Sequence, residues 1–161
     1  MLKPHLHGAV KYIVTGLLLL ASNVNYGFDP DVSELKMLGW GNKCLTQCFD
    51  ADATGKLKKW ELTLNANAFI RLRRTYQNGK LEYFSFQLQR LDDIDYLGTV
   101  KAGTIKLRTT DMDIIVQTYN DRKGGDVDSM ASVLSIPVKN MEPEKLDSLR
   151  NVLLYFKNRN M

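Results

Sequence analysis

The clearest chemical motif in this chain is a set of oxygen-bearing side chains with the spacing of an EF-hand calcium loop. Such a loop takes oxygen ligands from its positions 1, 3, 5 and 12, and it has a glycine at position 6. An apolar residue is usual at position 8. Positions 1, 3, 5, 6, 8 and 12 are filled here by Asp50, Asp52, Thr54, Gly55, Leu57 and Glu61. Calcium is the one cofactor that the sequence suggests.

The residues around this motif argue against calcium binding. A helix should follow Glu61, but residues 60–72 alternate between apolar and polar side chains, which is typical of a strand. Lys56, Lys58 and Lys59 place three positive charges inside the loop. A turn of sequence Asp-Ala-Thr-Gly leading into the strand accounts for the same residues. We therefore expect no specific calcium binding.

Cys44 and Cys48 are the only cysteines of the chain. In a strand, residues four apart lie about 13 Å from each other, whereas a disulfide needs Cα atoms roughly 4.4–6.8 Å apart. A helical turn would bring the two cysteines within that range. The sequence leaves two alternatives, a turned and bridged segment or an extended segment with free thiols. The spacing differs from that of a thioredoxin-type redox site, and two thiolates alone make a poor zinc site.

Residues 1–27 have the composition of a secretory signal peptide. A basic start precedes an apolar run at residues 12–21, and small residues lead up to Gly27. A membrane-spanning helix would need about 20 apolar residues. We predict a secreted or periplasmic protein, cleaved after Gly27 or alternatively after Ala21. We expect it not to be an integral membrane protein after cleavage. The other interpretation of this segment is an uncleaved N-terminal anchor.

Loss of that segment would remove much of the chemistry of the chain. It contains both histidines, His5 and His7, and cleavage after Gly27 would leave the 134 residues from 28 to 161. The acidic pairs near 92, 112 and 127 fall in predicted turns, where aspartate hydrogen-bonds to the backbone. We therefore predict that the mature protein is not an enzyme.

The charge of the chain does not favour a nucleic-acid partner. Two of its four net positive charges come from Lys3 and Lys11 in the predicted signal peptide. Binding to nucleic acid or to an anionic membrane requires a concentrated basic patch. The one basic cluster, Arg71, Arg73 and Arg74, has the spacing of the solvent face of a strand.

The elements that position these residues are predicted to be mostly strands. Residues 60–72 alternate over their whole length and predict one long strand with a buried face, and residues 80–91 predict a second. A two-residue loop between them would set apolar side chains opposite polar ones. A three-residue loop with Gly79 at positive φ instead pairs Tyr76 with Lys80. We predict this second register, because a slip of one residue would turn every side chain to the other face.

Further strands are predicted at 104–109, 114–119 and 130–138, and residues 28–55 predict a lead-in segment with at most a helical turn at 32–38. The C-terminal residues predict a helix that starts at Pro143, with one apolar stripe formed by Leu146, Leu149, Leu153 and Phe156. The fold class is therefore α+β. We expect a single domain, 28–161, in which residues 56–161 form an antiparallel β-meander of five to six strands with the helix packed on one face.

The predicted export and the predicted fold lead to two functional hypotheses. The first is a binding or structural protein that contacts another protein or an envelope component. The second is a lipocalin-like carrier, in which the sheet curls around a small apolar ligand. Trp60, Phe84 and Phe86 are the predicted ligand or partner face. A cavity of several hundred cubic ångströms beside Phe84 and Phe86 would favour the carrier, and a packed interface there would favour the binding protein.

Overall fold

The computed structural model describes residues 31–159, so the predicted signal peptide lies outside the described residues. Residues 31–159 form two α-helices and eight strands. The elements are α1 (Val32–Cys48), β1 (Leu57–Leu64), β2 (Phe69–Tyr76), β3 (Leu81–Gln87), β4 (Leu91–Gly98), β5 (Ala102–Thr109), β6 (Ile114–Tyr119), β7 (Val127–Ala131), β8 (Val133–Lys139) and α2 (Pro143–Asn158). In this part of the chain, neither helix is long and apolar enough to span a membrane.

The strands form two antiparallel sheets, one ordered β1-β2-β3-β6-β7 and the other β4-β5-β8. The α+β class, the antiparallel pairing and the C-terminal helix are thus confirmed. The eight strands are more than the predicted five to six. Strand β4 was not predicted, and two of the predicted strands are each divided into two strands in the structure. The adjacent aspartates of β4, Asp92 and Asp93, resemble a turn in sequence, and residues 130–138 break at Ser132 into the ends of β7 and β8.

The predicted long strand at residues 60–72 is in fact the hairpin of β1 and β2. Leu64 pairs with Ile70, so five residues separate the paired positions and the alternation continues through the turn. The Asn65 side chain holds this turn by accepting hydrogen bonds from the backbone N–H groups of Asn67 and Phe69, both at 3.0 Å. Alternation alone therefore cannot distinguish this hairpin from one strand.

The predicted register of the next hairpin, β2 and β3, is confirmed. Leu72 pairs with Phe84. The backbone N–H of Tyr76 donates to the Lys80 carbonyl at 2.9 Å, and Gly79 has a φ of 91°. The left-handed conformation at Gly79 is what the three-residue loop requires.

The two helices contact each other and contribute buried side chains to the hydrophobic core. The predicted stripe of α2 is confirmed, because Leu149, Leu153 and Phe156 are buried. Helix α1 is much longer than the predicted turn at 32–38. A Cβ at Gly41 would lie 3.1 Å from Val152 Cγ1, so this glycine permits the close contact between the helices.

Helix α1 is also attached to the edge of the five-stranded sheet. The Asn42 amide nitrogen donates to the Leu64 carbonyl at 2.8 Å, and the Leu64 N–H donates back to the Asn42 oxygen at 2.7 Å. One side chain thus satisfies both backbone groups of an edge residue, which would otherwise be unpaired.

Candidate functional site

The structure brings together only part of the predicted calcium motif. Lys139 Nζ lies 3.5 Å from Asp50 Oδ1 and 3.4 Å from Asp52 Oδ2. The Thr54 hydroxyl donates to a backbone carbonyl in its own turn, and Glu61 lies in β1. Residues 31–159 contain no group of three or more metal-ligating side chains arranged to hold an ion. A lysine is therefore the partner of the two aspartates, and Glu61 is not brought to them.

Cys44 and Cys48 lie one turn apart on α1, and both thiols are buried and free. The bridged alternative is therefore not what the structure shows, although the segment is helical. Burial raises the pKa of the Cys44 thiol to about 12, and the neighbouring Cys48 acts in the same direction. The Cys48 thiol donates to the Asn140 carbonyl at 3.9 Å. A thiol that stays protonated is a poor nucleophile.

The predicted ligand face, Trp60, Phe84 and Phe86, lies on the inner side of the five-stranded sheet. The Trp60 ring packs against Phe49 with 4.4 Å between centroids. The Arg74 guanidinium covers the Phe84 ring at 4.7 Å, and Phe86 is buried in the core. These three side chains are packed against other protein groups because inward positions of the sheet face the core. The sequence placed Phe84 and Phe86 on the same face as Ile70 and Leu72, and strand pairing places them there. The use of these aromatic side chains as a ligand or partner face stays a prediction.

An ionic network lies on the same inner side, near the β2–β3 turn. Arg74 contacts Glu82 at 2.9 Å, and Lys80 contacts Glu82 at 3.0 Å and Asp121 at 3.1 Å. The Tyr76 hydroxyl donates to Glu82 at 2.8 Å. Burial by itself raises the pKa of Glu82, but the bonds from Tyr76 and Lys80 and the Arg74 charge outweigh it, so that the pKa is lowered. The network consists of mutually paired groups and fits a structural role.

The opposite, outer face of the five-stranded sheet carries an open groove of about 570 Å³. We call it the outer groove. Strand pairing places most of its residues in two rows that cross the sheet from β1 and continue beyond the groove to β7. One row contains Thr63, Arg71, Ser85, Ile115 and Met130, and the other contains Glu61, Arg73, Tyr83, Gln117 and Asp128.

Two arginines on β2 are the cationic residues of the outer groove, and Glu61 on β1 is the cross-strand neighbour of Arg73. The Arg71 guanidinium lies 5.5 Å from the Phe69 ring centroid, and that of Arg73 lies 5.1 Å from the Tyr83 ring centroid. Neither arginine forms an ion pair with any carboxylate in the described part of the chain. Stacking on an aromatic ring orients a guanidinium, whose N–H groups can bind a carboxylate or phosphate in a bidentate manner.

The β6 end of the outer groove is partly apolar, with Ile115 and Gln117 side by side. Ile115 is 47% exposed, and its cross-strand partner Met130, just beyond the groove, is 44% exposed. Gln117 donates to Asp128 at 3.2 Å, so this carboxylate already has a partner within the sheet. Ile115 and Met130 thus form a small exposed apolar patch beside the groove.

Sequence reasoning found only one component of this site. It noted the cluster of Arg71, Arg73 and Arg74 as a solvent-facing group, but strand alternation turns Arg74 inward and leaves the other two on the outer face. The apolar end was missed because Ile115 joins the groove only through the pairing of β3 with β6.

No protein-family model, curated protein or solved structure matches this chain.

Proposed function

We propose that this protein is an exported, non-enzymatic binding protein that holds an anionic group of a partner protein or an envelope component in the outer groove. The observation that carries the proposal is the pair Arg71 and Arg73, two exposed guanidinium groups without a carboxylate partner among residues 31–159. An unpaired, oriented arginine pair next to apolar surface is suited to binding an anion.

The spacing of the two arginines supports this use. They are two residues apart on β2, so they project from the same face about 7 Å from each other. Strand β2 is paired on both sides, with β1 and β3, and its backbone is fixed by these ladders. Rigid elements position a binding pair more accurately than loops do, and less entropy is lost when the ligand binds.

The inner side of the sheet gives less support to a lipocalin-like carrier. That hypothesis places a ligand beside Phe84 and Phe86, but Phe86 is 2% exposed and the Arg74 guanidinium covers Phe84. The outer groove borders β3 from the other face. A binding surface on the outside of the sheet thus agrees better with the packing.

A pair of charge-matched variants tests the proposal. The double variant R71Q/R73Q removes two positive charges from β2. The control K106Q/R108Q removes two positive charges from β5, also two residues apart and on the solvent side of the other sheet. Both variants should keep the thermal midpoint near the wild-type value, because these side chains lie outside the core.

The assay is capture from the envelope fraction of the source organism on immobilised protein, followed by elution with salt. We expect wild type and K106Q/R108Q to retain the same components and R71Q/R73Q to lose them, since guanidinium–anion contacts dominate the binding. Equal retention by all three proteins would overturn the proposal.

A further inference from the structure

The outer groove differs in character from one end to the other. Its cationic residues, Arg71 and Arg73, lie on β2 beside Glu61 and Thr63 of β1, and its main apolar residue, Ile115, lies on β6 next to Met130 on β7. Neighbouring strands lie about 4.8 Å apart, so the arginines are separated by about 10 Å from Ile115 on β6 and by about 14 Å from Met130 on β7. A ligand with a negative head and an apolar body about that long would contact both the arginines and this apolar surface.

The strands that form the floor of the groove have few free backbone groups, although Thr63, Ser85 and Tyr83 also place hydroxyl groups in its lining. Strand β3 is paired with β2 and β6, and β6 is paired with β3 and β7, so these strands have neighbours on both sides. The Gln117 amide already donates to Asp128. A peptide lying across this face would leave many backbone groups unpaired, and extended peptides bind to sheet edges instead. A ligand with one polar head and an apolar body avoids this cost.

We propose that the outer groove binds a single-chain anionic amphiphile, with its carboxylate or phosphate head at Arg71 and Arg73 and its apolar chain along Ile115 towards Met130. This inference rests on the proposed function and names the chemistry of its ligand. The groove has a volume of about 570 Å³, within the range of small-molecule sites. It accommodates one molecule, so the ligand is a free amphiphile and not a bilayer surface.

The test measures binding of sodium decanoate, below its micellar concentration, by isothermal titration calorimetry. Acetate provides the head without the chain, and decyltrimethylammonium provides the chain with the opposite charge. The variant R71Q/R73Q removes the charged contacts. Ile115→Thr shortens the apolar contact while keeping a β-branched residue, and Leu97→Thr is its control on an exposed position of the other sheet.

We expect wild type to bind decanoate, and acetate and decyltrimethylammonium to bind far more weakly. R71Q/R73Q should weaken decanoate binding more than tenfold. Ile115→Thr should weaken it by about three- to tenfold, as loss of one partly buried apolar contact predicts. Leu97→Thr should leave the affinity unchanged.

Three results would overturn the inference. They are the absence of decanoate binding, decanoate binding that Ile115→Thr leaves unchanged, and cosedimentation with phosphatidylglycerol vesicles without binding of the free amphiphile. The proposed function would still stand if R71Q/R73Q, but not K106Q/R108Q, lost the captured envelope components. The proposed function would also fail only if R71Q/R73Q retained the envelope components in the capture assay as wild type does.

Discussion

Replacement of Glu82 by glutamine tests how the inner face of the sheet holds its charges. The Glu82 carboxylate accepts contacts from Arg74 at 2.9 Å, Lys80 at 3.0 Å and Tyr76 at 2.8 Å. The side chains of Arg74 and Glu82 are each 15% exposed, so water screens the pair only weakly. Glutamine keeps the shape of the side chain and removes its charge.

The expected loss of stability depends on which contacts of Arg74 and Lys80 remain after Glu82→Gln. Removing one partner of a fully buried ion pair costs about 3–5 kcal/mol, and a hydrogen bond to a charged group contributes about 1.5–3 kcal/mol. Lys80 keeps its contact with Asp121, but Arg74 loses its only carboxylate partner among the described residues, and its Nε already has no hydrogen-bond partner there. We therefore expect the free energy of unfolding to fall by about 2–3 kcal/mol.

The assay is urea unfolding followed by tryptophan fluorescence at pH 7. The matched control is Asp95→Asn, which breaks an ion pair with Arg108 of the same 2.9 Å length, but with side chains 41% and 42% exposed. We expect the control to shift the unfolding midpoint much less, because exposed pairs are screened. Equal effects of the two substitutions would refute the argument from burial.

The pH dependence provides a second check. The pKa of Glu82 is lowered from 4.5 on folding, because its hydrogen bonds and the nearby positive charges outweigh its burial. Its contribution to stability is therefore complete above pH 4.5 and is lost as the pH falls through the lower pKa of the folded state. The difference in stability between wild type and Glu82→Gln should be constant from pH 7 to about pH 5 and should shrink below pH 4.5. A difference that persists unchanged to pH 3 would contradict this assignment.

Three further predictions concern the core of α2, the calcium motif and the two cysteines. Leu153→Ala should lower the free energy of unfolding by about 2–5 kcal/mol, because Leu153 is 1% exposed in α2, and a loss below about 1 kcal/mol would show that α2 does not cover the core. Millimolar calcium should leave the thermal midpoint unchanged, since β1 does not bring Glu61 to Asp50. An increase that Glu61→Gln abolishes would establish a calcium site. Cys44 and Cys48 should react with a thiol reagent no faster than the protein unfolds, because burial raises the pKa of Cys44 to about 12. Rapid labelling of the native protein would contradict their burial.

The sequence was sufficient where local rules determine the structure. The register of β2 and β3 follows from Gly79 and from the parity of the flanking residues, and the apolar stripe of α2 follows from its helical spacing. The alternation of apolar and polar residues also explains the main error, which is the single strand predicted at residues 60–72. The turn at residues 65–69 keeps the alternation in phase, so one predicted strand became a hairpin. The strand propensity of these residues does not distinguish a hairpin from one continuous strand.

The outer groove could not be assembled from sequence because its two ends are far apart along the chain. Arg71 and Ile115 share a row only because β3 pairs with both β2 and β6. Such long-range pairing depends on the packing of the whole core, which local patterns do not specify.

The most direct test of the central claim is protection of the groove arginines from phenylglyoxal, measured by mass spectrometry with and without the envelope fraction. Arg90, whose side chain is 67% exposed and lies away from the groove, is the internal control. We expect the envelope fraction to reduce labelling of Arg71 and Arg73 several-fold while Arg90 labels as before. Unchanged labelling of Arg71 and Arg73, under conditions in which the protein retains its envelope components, would contradict the claim that the outer groove is the binding site.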